Sequence, residues 1–433
     1  MLDKLREMTV RKERAILVAA ILHAQKDYDN LAELTALAET AGAEVIDRFP
    51  QKIHKINAAT YIGKGKAEQL ADRVKKSKAN VIIFDNNLSP GQIRNLEEIV
   101  RTKVIDRSEL ILDIFATRAQ TKQAKLQVSL AQLEYTYPRL TQMWSHLDTV
   151  AGAGGATTAG AVGAIGTRGT GEQQLEIDRR IVKKQITELQ QELAEIDNRK
   201  IREIDGRKGL FKICLVGYTN AGKSTLLNTL TDAGVLVEDR LFSTLDTRTK
   251  KWTLPGGAEV LLSDTVGFVR NLPHQLVASF KATLEEAVNA DLLMHIIDAS
   301  IADALKQIEA VDNVLAEIGC AAKPVLKVFN KIDSLRRTGE LDMLQTLFPD
   351  AVCISAKTGL GLAGLYETIV AHYKGDEILI RVKSSQANGK IQSFLRTYGR
   401  IIREYYLDNS VITDVMLGRN QLPQLKSLGA EIV

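Results

Sequence analysis

The sequence predicts an α/β protein: a phosphate-loop domain with a mostly parallel, doubly wound sheet, preceded by an α/β domain with an antiparallel coiled-coil helical hairpin, and followed by a small α+β domain. Three observations predict it. In two separate stretches, short apolar runs alternate with segments of helical period, the pattern of a layered sheet with crossover helices. Between those stretches the apolar spacing changes to a strict seven-residue repeat. One apolar strand also runs directly into a G-x-x-x-x-G-K-S loop, Gly217 to Ser224.

The 433 residues suit two to four domains, and the 45% apolar content is enough for sizeable cores. Fifty-seven basic against 53 acidic side chains leave a net charge of +4, which permits a nucleic-acid partner without arguing for one. Cys214, Cys320 and Cys353 have no paired spacing and no neighbouring histidines, so neither a disulfide framework nor a zinc site is expected. The segment from Met1 to Arg14 is charged and lacks the apolar stretch of a signal peptide. The apolar run Ala15–Leu22 is too short to span a bilayer. A cytoplasmic, soluble chain is expected.

The first domain is placed at residues 1–119. Ala15–Leu22, Ala43–Ile46, Val81–Phe84 and Lys103–Ile105 read as strands. Leu31–Ala41, Lys66–Lys76 and Gly91–Arg101 read as helices, the third started by Ser89-Pro90. The hairpin is placed at 120–207. Leu126, Leu130, Leu133, Tyr137, Leu140, Trp144 and Leu147 lie on one seam, and Val182, Ile186, Leu189, Leu193 and Ile196 lie on another. Two such seams can zip into an antiparallel hairpin, or belong to two ordinary amphipathic helices packed on a neighbouring domain. Pro138 should kink or break the first helix. The tip loop, 151–171, holds eight glycines, six alanines and the single charge Arg168. So small and neutral a loop suits entry into a narrow space, or is a dispensable insertion. Residues 208–375 again alternate strand and helix. Residues 376–433 contain strands Glu377–Val382, Arg400–Tyr406 and Val411–Leu417, a turn at Asp408-Asn409 and a closing helix Asn420–Leu428, with no catalytic signature.

The chemistry is expected in the third region. In Gly217-Tyr218-Thr219-Asn220-Ala221-Gly222-Lys223-Ser224-Thr225, the glycines let successive N–H groups turn toward phosphate oxygens. Lys223 supplies a point charge and Ser224 a hydroxyl suited to Mg²⁺. Strand Leu261–Ser263 ends in Asp264-Thr265-Val266-Gly267, where Asp264 can hold magnesium through water and the Gly267 N–H can approach the γ-phosphate. Strand Pro324–Phe329 delivers Asn330-Lys331-Ile332-Asp333. Guanine has adjacent N1–H and N2–H donors that one carboxylate accepts together, so Asp333 is assigned to the base. Asn330 is assigned to supporting the base and loop, and the Lys331 stem to covering the ring plane. Ser355-Ala356-Lys357 can present backbone amides to guanine O6.

These four elements resemble the GTPases of the translation-factor-related class. The resemblance implies GTP as substrate, GDP as product, Mg²⁺ as cofactor, and a switch segment between the phosphate loop and Asp264. Phe242-Ser243-Thr244-Leu245-Asp246 occupies that place, and Thr244 is taken as the residue that binds Mg²⁺ and senses the γ-phosphate. Lys223, Thr244 and Gly267 are the expected catalytic residues; Ser224, Thr244 and Asp264 are the expected metal-binding set. Phe268 stands where Ras-like proteins carry the water-orienting glutamine, which predicts slow intrinsic hydrolysis completed by a partner.

Tyr61-Ile62-Gly63-Lys64-Gly65-Lys66, the hairpin, Arg168-Gly169-Thr170-Gly171-Glu172 and Leu175-Glu176-Ile177-Asp178-Arg179-Arg180 extend the likeness. The chain resembles the HflX family. That implies binding to the 50S subunit and the 70S ribosome, with ribosomal RNA met by the N-terminal domain and the hairpin loop. It also implies dissociation of stalled or idle 70S ribosomes by a protein that is monomeric off the ribosome. The stretch 151–166 is longer than usual for the family, and Thr170 replaces a common proline. The resemblance further raises a weak ATP site in the N-terminal domain, against which Gly63–Lys66 reads as a plain turn into a helix, or an RNA phosphate contact. Two other functions stay open: a GTPase of ribosome or RNA maturation, and a coiled-coil protein whose dimerisation GTP controls.

Overall fold

A computed structural model describes residues 13–22, 31–143, 170–205, 210–231, 241–242, 247–254, 258–270, 281–335, 338–375, 377–386, 388–407 and 410–433. Trp144 and Leu147 of the seam, nearly all of the tip loop, and Ser243 to Asp246 lie outside these residues. The described residues fall into two compact units, one up to Ile196 and one from Asp197 on.

In the first unit, β1 (Arg14–Leu22), β2 (Glu44–Ile53), β3 (Val81–Phe84) and β4 (Lys103–Asp106) form a wholly parallel sheet of order β2-β1-β3-β4. Helices α1 (Ala32–Thr40), α2 (Lys64–Ser77), α3 (Pro90–Val100) and α4 (Arg107–Arg118) complete the layers. The start of α3 is held as its sequence suggests. Ser89 Oγ accepts from the Gln92 N–H, and Gln92 Oε1 accepts from the Ser89 N–H, with Pro90 in the first turn. Gly63 at φ +87 leads directly into α2, and Lys66 Nζ donates to Gln69, as in a plain helix start.

Helix α4 was not expected. It buries a wide face (Leu110, Ile111, Leu112, Ile114 and Phe115) and turns out only the stripe of Glu109, Asp113, Ala116 and Thr117. Asp106 caps it by accepting from the Glu109 N–H.

Helix α5 (Lys122–Met143) passes through Pro138 without ending, where a kink or break was expected. The turn around the proline is pinned on both sides. Tyr135 Oη donates to Asp106 Oδ1, and Arg139 pairs with Asp106 at 3.0 Å and Glu109 at 3.5 Å. Fixed neighbours offset the one backbone bond that proline removes. In α6 (Thr170–Asp205), Val182, Ile186 and Leu189 are half-buried and Leu193 is buried, while most side chains between them are exposed. Within this one chain Lys122 pairs with Glu192, and Gln190 bonds Glu134.

The second unit is built on a six-stranded sheet of order β10-β9-β8-β5-β7-β6. Its strands are β5 (Phe211–Gly217), β6 (Arg248–Thr253), β7 (Glu259–Asp264), β8 (Leu292–Asp298), β9 (Val325–Asn330) and β10 (Val352–Cys353). All neighbours run parallel except β6, which is antiparallel to β7. Helices α7 (Lys223–Thr231), α8 (Lys281–Val288), α9 (Ala304–Glu317), α10 (Thr338–Leu347) and α11 (Leu362–Lys374) connect them. β5 and β8 are almost wholly buried, as central parallel strands covered on both faces must be.

A four-stranded antiparallel sheet follows, from β11 (Glu377–Ser385), β12 (Arg400–Leu407), β13 (Ser410–Gly418) and β14 (Glu431–Ile432), in the order β12-β13-β11-β14. The expected closing helix is shorter, α13 (Leu422–Ser427), entered by a 3-10 turn at Arg419–Gln421. Between β11 and β12 lies an unexpected helix, α12 (Gly389–Tyr398), which buries Ile391, Phe394 and Leu395. Among the described residues no helix is long and apolar enough to cross a membrane.

Candidate active site

The apolar sequence of β5 buries the strand and brings the chain to Gly217 at φ +149. A Cβ there would collide with the Ile296 carbonyl of β8, so only glycine lets the loop leave the sheet. Asn220 (φ +60) and Gly222 (φ +96) add two left-handed positions, and α7 then opens at Lys223. Such a loop, ending on a helix N-terminus, gathers N–H groups around one concavity and favours an anion there.

Lys223 is buried, and its Nζ donates to the carbonyls of Gly217 (3.0 Å) and Tyr218 (2.9 Å). Burial pushes its ammonium down to about 8, against the pull of nearby Asp264. Ser224 Oγ donates to Asp264 Oδ2 at 2.6 Å, and the carboxylate is fully buried at the end of β7. Two hard oxygen ligands from the phosphate loop and the strand end thus meet beside the helix N-terminus. That donor set fits Mg²⁺, which takes one or two protein oxygens and completes its shell with phosphate and water.

The segment after Asp264 is fastened to the phosphate loop. Thr265 Oγ1 donates to the Leu215 carbonyl (2.7 Å), the Phe268 N–H to the Gly217 carbonyl (3.1 Å), and the Thr219 N–H to the Phe268 carbonyl (2.8 Å). Tyr218 Oη accepts from the Arg270 N–H at 2.7 Å. A Cβ on Gly267 would stand 2.7 Å from Thr219 Cα and 3.0 Å from Lys223 Nζ, so this glycine lies directly against the lysine. Val266 is buried, and so is the Phe268 ring.

On the base side, Asn330 joins two loops. It donates through Nδ2 to the Ala221 carbonyl (2.8 Å) and accepts at Oδ1 from the Ala356 N–H (2.9 Å). Lys331, at φ +64, pairs with Asp298 at 2.7 Å, and Asp298 also accepts from Ser300. Asp333 is exposed on the 3-10 turn Ile332–Ser334; a hydrogen bond from Ser355 holds its carboxyl below the ordinary range. Ser355 is fully buried, its Oγ accepting from the Thr358 N–H, whereas Lys357 is exposed.

The carboxyl ends of β5, β7, β9 and β10 therefore carry the expected residues of the phosphate loop, Asp264–Gly267, Asn330–Asp333 and Ser355–Lys357. Phe242 is buried at φ +55; the switch residues Ser243, Thr244, Leu245 and Asp246 lie outside the described residues. Asp298 was missed; its place at the end of β8, one strand from Asn330, was the available signal. The Tyr218 hydroxyl was also missed, because nothing in the loop template calls for one.

Three stretches match family models: residues 28–116 "GTP-binding GTPase N-terminal", 118–207 "GTP-binding GTPase Middle Region" and 212–331 "50S ribosome-binding GTPase". The chain is similar to a GTPase HflX of Lacrimispora saccharolytica, 42% identical with 95% of each chain covered. It is likewise similar to one of Caldanaerobacter subterraneus subsp. tengcongensis, at 41% over 94% of this chain and 92% of that one. A third, from Escherichia coli K12, is 39% identical over 93% of this chain and 92% of its own. With a loop fit for a nucleotide triphosphate and relatives that match nearly end to end, the chain belongs to the HflX family of GTPases.

Proposed function

We propose that this chain is a magnesium-dependent GTP hydrolase that docks on the 50S subunit and on 70S ribosomes and splits stalled or idle 70S particles. It acts as a cytoplasmic protein, monomeric when off the ribosome. The observation that carries the nucleotide reading is the Asn330 bridge, because one side chain ties the phosphate loop to the loop that would meet the base. The backbone of Gly217 to Thr225 holds the phosphates, with Lys223 on the terminal ones. Asp333 accepts from guanine, the Lys357 amide of the Ser355-Ala356-Lys357 turn is offered to its O6 while the Ala356 N–H is kept by Asn330, and the Lys331 stem and Ile332 flank the ring. Ser224 and Thr244, with Asp264 through water, would hold Mg²⁺, which when bound neutralises charge on the phosphates. Gly267 sits against Lys223, so its N–H can follow the γ-phosphate.

Phe268 offers no hydrogen bond from its side chain, and both of its backbone polar groups are engaged with the phosphate loop. The attacking water must be oriented by something else, and the ribosome is the proposed source. The description "50S ribosome-binding GTPase" of the model matched by residues 212–331 supports that partner. The Lys122–Glu192 and Gln190–Glu134 contacts favour helices paired within one chain over a dimerising coil.

The test is co-sedimentation with 50S and 70S particles in the presence of a non-hydrolysable GTP analogue, GDP or no nucleotide. Retention on 50S with the analogue is expected, and subunits should separate from 70S. No retention on 50S in any nucleotide state defeats the ribosome reading, whereas equal affinity for ATP and GTP defeats the nucleotide one.

A further inference from the structure

The last elements of the chain form a β-α-β-β-α-β unit, β11-α12-β12-β13-α13-β14. Both helices cover the same face. Val382, Val415 and Leu417 of the sheet pack with Ile391, Phe394 and Leu395 of α12 and with Leu425 of α13. Alternation along each strand sends the intervening side chains to the other face. Among the described residues, no helix of this unit covers that face.

Strand register decides what stands together there. Tyr405 of β12 is opposite Ile412 of β13, and Ile412 is opposite Lys383 of β11. The next row is Arg403, Asp414 and Arg381. Tyr405 is 43% exposed, and Arg403 hydrogen-bonds it along the same strand. In the second row, Asp414 is gripped by Arg381 through Nε at 2.7 Å and Nη2 at 3.0 Å. The first row ends on β14 with Glu431, directly opposite Lys383 and 4.0 Å from it. Arg403 and Lys383 therefore stand near one exposed aromatic ring on an open sheet, Lys383 held only by an exposed 4.0 Å pair with Glu431, while Arg381 is taken by Asp414.

We infer that this sheet face binds single-stranded RNA, one base stacking on Tyr405 while Arg403 and Lys383 hold the neighbouring phosphates. An exposed ring with cations close by is what an unstacked strand needs, since every base has a π-face and every linkage a charge. A duplex keeps its bases stacked and would leave the ring unused. An acidic peptide would need the cations but not the ring. The inference deepens the ribosome reading, naming a second place where RNA is met, but its test needs no ribosome.

The full-length chain is titrated into a fluorescent single-stranded RNA of about a dozen nucleotides, and into the same RNA annealed as a duplex. Tyr405→Ala should weaken single-strand binding by on the order of tenfold, and Tyr405→Phe should leave it nearly unchanged. Lys383→Gln and Arg403→Gln should each lower the salt slope of binding by about 0.7. GTP affinity and the thermal midpoint, measured on each variant, should match the parent; if Tyr405→Ala alone fails to fold, the two Gln variants decide. The proposal is overturned if Tyr405→Ala stays within about twofold of the parent, if duplex competes equally well, or if polyglutamate displaces the RNA at equal charge concentration. Loss of 50S binding with this pattern intact would sink the ribosome reading and leave the RNA site standing.

Discussion

Lys223 shows how a phosphate site can be read from a single side chain. Without nucleotide, its ammonium is held by two carbonyls in a dry setting, which brings it down to about 8. Below that pH the fold carries a buried charge. As pH rises from about 8 toward 10.5 the folded protein sheds the proton before the unfolded chain does, so the cost recedes. A bound triphosphate should keep the ammonium charged. GTP binding at pH above about 8 is therefore expected to take up protons, seen as a buffer-dependent heat in calorimetry, and Lys223→Met should abolish that dependence. Glu109 behaves in the opposite sense. Burial raises it to about 7 despite Lys103 and Arg139, so its contribution is full below 4.5 and fades as pH climbs through 7. Glu109→Gln should raise the free energy of unfolding at pH 8 relative to the parent more than at pH 5, by on the order of 1 kcal/mol, read by chemical denaturation at the two pH values. Asn330→Ala removes two buried hydrogen bonds and strands an Ala221 carbonyl and an Ala356 N–H. A loss of about 1–3 kcal/mol for each buried group left unmet is expected, together with weaker GTP binding; unchanged affinity would mean that the two loops hold their places without it.

At the scale of elements, the seam on α6 makes the sharpest contrast. Leu193→Ala should destabilise by about 2–4 kcal/mol, whereas Ile181→Ala, off the seam and 50% exposed, should cost about 0.5 kcal/mol or less, both read by chemical denaturation. Val81–Phe84 and Phe211–Val216 could be foreseen because buried strands are apolar runs, whereas Leu292–Asp298, just as apolar, was not singled out. Helix α4 escaped notice because Leu110–Phe115 is one apolar run broken only by Asp113, which reads as strand as readily as helix. Helix α12 escaped because Ile391, Phe394 and Leu395 give only one apolar turn among polar neighbours. Of the kink or break that Pro138 suggested, the break is absent: anchoring by Tyr135 and Arg139 carries the helix past the missing backbone donor.

For the whole molecule, the expected order of affinities is GTP well above ATP, by a factor of roughly 10⁴ if Asp333 is the reader of the base, and Asp333→Asn should erase most of that gap. The nucleotide motifs were legible because their residue types are dictated by phosphate and guanine rather than by packing. The Asp298–Lys331 pair and the Phe268 backbone clasp were not, since they depend on which strands become neighbours. One further consequence concerns the thiols. Cys214 lies in the central strand beneath the phosphate loop, fully covered, with burial driving its ionisation far upward, while Cys353 is only half-covered. An alkylating reagent should therefore modify Cys353 early and reach Cys214 only when the central strand parts from its neighbours. The lag between the two labels would clock how often that sheet breathes, and tight occupancy by nucleotide should lengthen it.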